Sequence, residues 1–136
     1  MKPVFFYGLF MDPELLKGKG LSPSNPMLAC IKGYGLRIGE RASIVKSENE
    51  CAYGLIVSLE QKEIEALYGE ESVLDYIPEK ITAVNSSGEN IDATTYTLPS
   101  EKLKGRNKDY AKTLAILAKK LGLPSDYIEE IERWSI

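Results

Sequence analysis

The chain contains no histidine. That absence removes Ser-His-Asp triads, Cys-His pairs and ordinary histidine-containing zinc sites. Any general acid or base must therefore be a carboxylate, a lysine, a tyrosine or a cysteine. Cysteine is scarce too: Cys30 and Cys51 are the only two, and they do not have metal-ligand spacing. A reduced, cytoplasmic chain with no metal site and no cofactor is the expectation. No apolar run is long enough to span a bilayer, and Met1-Lys2-Pro3-Val4 lacks the long apolar core of a signal peptide. Basic clusters with interleaved aromatics are also missing. A net charge of -3 gives no electrostatic reason to expect nucleic acid or an anionic membrane as partner. There is no repeat, linker or low-complexity tract. What remains is 136 residues of ordinary globular composition, read as a single domain over 1–136 that can bury its own core.

The positive signals begin at Val4-Phe5-Phe6-Tyr7-Gly8-Leu9-Phe10-Met11-Asp12-Pro13. Aromatic and β-branched residues predict a buried strand. Gly8 predicts a tight turn, and Asp12 followed by Pro13 predicts a helix start. Backbone N–H groups between Gly8 and Asp12 are then left partly unpaired and suited to a carboxylate or polarised carbonyl. A plain β-to-α connection is the simpler alternative. Ser22–Pro26 reads as a loop, and Leu28–Ile38, interrupted by Gly33 and Gly35, as a sharply curved strand. Ala42–Val45 reads as a short strand, Ser47–Glu50 as a polar turn and Cys51–Ser58 as a central strand. Ser58-Leu59-Glu60-Gln61 has capping-box spacing and predicts a helix that Gly69 stops. Tyr76–Val84 and Ile91–Leu98 form a hairpin across Asn85–Gly88, with Pro78 confined to an edge or bulge. Lys102–Lys108 is a solvated basic loop. Tyr110, Leu114, Leu117 and Leu121 mark a helix over Lys108–Leu121, capped by Gly122, and Ser125 caps a last helix through Trp134. Antiparallel strands followed by two terminal helices make this an α+β protein.

For acid–base chemistry the best candidate is Glu70-Glu71, just past a helix and next to Val73-Leu74. A carboxylate against apolar neighbours has its ionised form disfavoured and its pKa raised. Two solvated acids at a helix end is the commoner arrangement. Tyr76, Tyr96 and Tyr110 offer hydroxyls to a substrate, although tyrosines in such places usually serve packing. Arg37 and Arg41 offer bidentate contacts to a carboxylate; exposed ion pairs would explain them equally.

Together these positions resemble the gamma-glutamylcyclotransferase-like family. Tyr7-Gly8-Leu9-Phe10 stands where the family has Tyr-Gly-Ser-(Leu/Asn) after its first strand. Gly33-Tyr34-Gly35-Leu36-Arg37-Ile38, Ala42–Val45 and Tyr53-Gly54-Leu55-Ile56-Val57 resemble its middle block. Leu67-Tyr68-Gly69-Glu70-Glu71-Ser72, with Tyr76 beyond, occupies its acidic block. Tyr110 followed by Gly122-Leu123-Pro124-Ser125-Asp126-Tyr127 matches its C-terminal pattern.

The resemblance implies a small mixed β-barrel with surrounding helices. It also implies a reaction without a cofactor on a small gamma-glutamyl substrate, in which the free α-amine attacks its own γ-carbonyl. The products are 5-oxoproline and a free amine. Glu71 matches the carboxyl group that moves the proton from attacking amine to leaving nitrogen. Tyr7, Gly8, Leu9 and Phe10 match the loop that holds the glutamyl group, and Tyr110 matches a tyrosine that covers it. Leu9 stands for the family's Ser, Phe10 for Leu or Asn, Tyr68 for Asp and Ser72 for Gly. Two bulky apolar residues in the loop narrow the expected pocket. A binding protein of the same fold without turnover, and a scaffold filled by its own side chains, are the alternatives.

Overall fold

The computed structural model describes residues 1–136. Five strands close into a barrel in the order β1-β3-β2-β4-β5. They are β1 (Lys2–Phe6), β2 (Ser24–Ile38), β3 (Ala42–Leu59), β4 (Ile77–Asn85) and β5 (Asn90–Thr97). Neighbours run antiparallel except at the closing seam, where β1 lies parallel to β5. This is the small mixed barrel expected from the sequence. That seam has one register pair, Val4 with Thr94, and a buried Thr95 hydroxyl that donates to the Phe5 carbonyl at 2.9 Å.

Val4, Phe5 and Phe6 are consecutive and all buried. A strand with one wet face would alternate, so both faces of β1 are covered. The four helices are α1 (Pro13–Gly18), α2 (Gln61–Tyr68), α3 (Lys108–Leu121) and α4 (Ser125–Arg133). Leu114 and Ala118 of α3 and Ile131 of α4 join β1 and β3 in one continuous apolar core. No helix is long and apolar enough to cross a membrane.

Several elements depart from the sequence reading. β3 is continuous through Ser47–Glu50, where a turn is expected. Lys32 pairs with Cys51 and Tyr34 with Lys46, so four residues of β3 bulge opposite Gly33 alone. The excursion is held by Glu50, which accepts from the Ser47 hydroxyl at 2.6 Å and from the Arg37 guanidinium at 3.1 and 2.8 Å. β2 begins at Ser24, inside the expected loop. α2 is capped by Glu60, with Glu63 completing the capping box, two residues later than expected. The reason is that Ser58 and Leu59 remain paired to Pro3 and Lys2 of β1. α4 starts after Pro124, without a side-chain cap from Ser125.

The tightest backbone approach is at Gly54 in β3. A Cβ there would come within 2.1 Å of the Phe6 carbonyl oxygen and 2.8 Å of the Phe5 ring. The strands cannot part without breaking the β1–β3 register, so Gly54→Ala should destabilise the fold by about 2 kcal/mol or more. Urea unfolding measures this; an unchanged midpoint would show that the β1–β3 contact can yield.

Candidate functional site

At the end of β1 the chain makes a 3-10 turn over Leu9–Met11 and enters α1. Asp12 caps that helix by accepting from the Glu14 N–H at 3.0 Å, with Pro13 in the first turn, as the sequence indicates. The turn uses only part of its backbone. Met11 and Asp12 donate to the carbonyls of Gly8 and Leu9. The Leu9 N–H donates to the Tyr110 hydroxyl at 3.2 Å. The N–H groups of Gly8 and Phe10 have no acceptor within the protein.

These groups border a cavity of about 310 Å³, at the small-ligand end of the usual range. Its walls come from four parts of the chain. Phe6 to Phe10 form one side, with Leu15 and Lys19 from α1 and the segment after it. Glu40, Arg41 and Ala42 come from the β2–β3 hairpin tip. Tyr68, Ser72, Val73 and Tyr76 come from α2 and the segment that follows. Tyr110 of α3 completes the lining. Its position is built locally: Asn107 caps α3 by accepting from the Tyr110 N–H at 3.0 Å, and its Nδ2 donates to the Glu40 carbonyl at 3.1 Å. The hairpin tip is also tied by the Glu40 N–H donating to the Lys104 carbonyl at 2.8 Å.

Tyr7, Gly8, Leu9, Phe10 and Tyr110 are thus brought together around one cavity. Tyr7 contributes only its ring, because its hydroxyl donates to the Tyr96 carbonyl at 2.6 Å. Phe10 does not fill the hollow. It is held against the wall by edge-on contacts with Phe6 and Tyr68, each at 5.9 Å between ring centres. Tyr68 is fixed in turn by stacking on Tyr96 at 3.9 Å.

Glu71 stands apart from this group. It opens a 3-10 turn over Glu71–Val73, its side chain is exposed, and it is absent from the lining, whereas Ser72 and Val73 border the cavity. Apolar shelter, the condition expected to raise its pKa, is missing. Glu70 faces the mouth, where it accepts from Lys19 Nζ at 2.7 and 3.0 Å. Arg37 pairs with Glu50 away from the cavity, while Arg41 lines it and donates to Asp75 at 3.2 Å and to the Ser72 carbonyl at 3.3 Å. Lys19 and Glu40 were not singled out from sequence. Glu40 lies in a short turn between two strands and carries no motif; only its place at a hairpin tip offers a signal.

The comparisons with known proteins agree with this geometry. A barrel of this topology, with a cavity at the loop after β1, is a gamma-glutamylcyclotransferase-like fold. The chain belongs to the AIG2-like family, whose profile matches residues 52–131. A structure described as gamma-glutamyl cyclotransferase superposes with a TM-score of 0.78 at 17% identity, covering 96% of this chain and 86% of that one. The uncharacterized protein loc79017 from Homo sapiens gives 0.77 at 18% identity, with 96% and 86% covered. A gamma-glutamyl cyclotransferase specific to glutathione from yeast gives 0.67 at 10% identity, with 98% and 95% covered. No curated protein matches the chain by sequence.

The tyrosines around the cavity are held in their neutral form. Burial, with neighbouring tyrosines adding to it, pushes Tyr7 well above the ordinary tyrosine range. Burial likewise raises Tyr110, partly offset by the Leu9 N–H, and takes Tyr76 up to about 12. A raised folded-state pKa means that the unfolded chain releases its protons first as pH rises. The stability linked to these groups is therefore complete below about pH 10 and is lost as the pH climbs towards and through about 12. Denaturant titrations at a series of alkaline pH values, read beside tyrosinate absorbance, should show stability falling before the cavity tyrosines ionise. Ionisation of all eight tyrosines together near their ordinary value in the folded protein would contradict this.

Proposed function

We propose that the protein is a cyclotransferase-type enzyme that converts a gamma-glutamyl amine or dipeptide into 5-oxoproline and a free amine. The observation that carries the reading is the set of main-chain N–H groups at Gly8, Leu9 and Phe10, facing a small and mostly apolar cavity. Such a cradle suits a carboxylate or a carbonyl that gains negative charge during attack. Folding one bound molecule into an attack geometry supplies a proximity advantage without a second reactant.

In this reading the α-amine nitrogen bonds to the γ-carbonyl carbon, and the carbon–nitrogen bond to the leaving amine breaks. One carboxyl group takes the proton from the attacking nitrogen and returns it to the leaving one. Glu71 is the proposed shuttle. Its carboxylate must turn inward from solvent, which breaks no ion pair, because Glu71 enters none of the seven in the protein. The two residues after it already border the cavity. Tyr110 covers the ligand, and a carboxylate arriving at the Leu9 N–H displaces its hydroxyl. The solvent-facing Glu71 is the specific observation favouring a second reading, in which the same cavity binds such a ligand without turnover.

Incubation with a panel of gamma-glutamyl amines and dipeptides, followed by detection of 5-oxoproline, separates the two. Turnover that falls by about 10²-fold or more in Glu71→Gln supports the enzyme and the shuttle, in line with the usual size of general acid–base effects. Turnover unaffected by Glu71→Gln removes Glu71 from the reaction. Thermal stabilisation by panel members without 5-oxoproline formation supports the binding protein.

A further inference from the structure

The charged groups around the cavity do not balance. Two cations line it, and each already has an anionic partner outside the lining. Lys19 Nζ lies 2.7 Å from Glu70, and Arg41 lies 3.2 Å from Asp75. One carboxylate lines it, that of Glu40, and it enters none of the protein's ion pairs. Its backbone is fixed on both sides by the Lys104 carbonyl and the Asn107 amide. A fixed, unneutralised carboxylate beside an apolar hollow favours a ligand that brings a positive charge, and the low local dielectric strengthens that contact.

We infer that Glu40 is the ammonium subsite of the cavity and selects ligands that carry a free α-amino group. The inference rests on the proposed function only for the part of the ligand held at Gly8–Phe10; the charge census stands without it. One end of the cavity offers N–H donors for a carboxylate, and the hairpin tip offers a carboxylate for an ammonium. Together they describe a zwitterionic amino-acid head, with the remaining apolar wall left for its side chain. Glu40 thereby becomes a specificity-determining residue, distinct from the proton shuttle.

The test compares L-glutamate with glutarate, which has the same carbon chain without the amino group, by calorimetric titration of the whole protein. Wild type should bind L-glutamate more tightly by about tenfold, the effect of roughly one charge-assisted hydrogen bond. Glu40→Gln should bring the two affinities close to equal, chiefly by weakening L-glutamate. The Glu40 side chain is exposed and makes no ion pair, so the variant should keep the wild-type melting temperature. A preference that survives in Glu40→Gln overturns the inference. Equal wild-type binding of both ligands also overturns it, while leaving the Gly8–Phe10 cradle intact. Binding of neither ligand by wild type overturns the cradle and the inference together.

Discussion

Everything at the site depends on a close approach between Tyr110 and the main chain at Gly8. A Cβ at residue 8 would sit 2.4 Å from the Tyr110 hydroxyl, so any other residue there would push the helix away. With hydrogen in that place, the hydroxyl reaches the Leu9 N–H and closes one side of the cavity. The contact joins residues about a hundred positions apart, and it sets the distance between the first strand and the third helix. It also holds an oxygen where an anionic ligand oxygen would bind, so the ligand-free cradle is kept partly satisfied and preorganised.

Two further devices maintain that approach. On one side, β1 is clamped between β3 and β5 with buried residues on both faces, so its C-terminal end cannot drift. On the other, Asn107 uses both ends of its amide, one to cap α3 beside Tyr110 and the other to hold the hairpin tip. The aromatic contacts Phe6–Phe10–Tyr68–Tyr96 then line the wall with rigid side chains. Substituting bulky Leu9 and Phe10 into the loop thus reshapes the cavity without filling it. Phe10 gains a place in an aromatic row that a small residue there would leave vacant.

Much of the fold was legible because its strongest elements announce themselves locally. The run Val4–Phe6 followed by Tyr7-Gly8 and Asp12-Pro13 carries strand, turn and cap in ten residues. α3 has a clean apolar stripe and ends on Gly122, which takes the left-handed conformation with φ of 80°. The misreadings share a cause in long-range pairing. Ser47–Glu50 looks like a turn on its own, and becomes part of β3 because Arg37 and Gly33 on the neighbouring strand accommodate it. Ser58 looks like a helix cap, and stays in the sheet because β1 still pairs there.

The site was legible in halves. The loop at Tyr7–Phe10 and Tyr110 could be read because a short motif and a helix face carry them. Glu40 could not, since a hairpin-tip acid has no local signature and acquires meaning only when Lys19 and Arg41 are found already paired. Glu71 was legible as a position in a pattern, but the direction of its side chain depends on the 3-10 turn that follows α2. The central claim, that the Gly8–Phe10 main chain grips a glutamate-like head, is tested most directly by amide chemical shifts during titration with 5-oxoproline. The expected result is a saturable shift of the Gly8, Leu9 and Phe10 amides, with the Tyr110 ring responding as its hydroxyl leaves Leu9. Saturable shifts elsewhere with those three amides unmoved, or no shifts at all, would contradict it.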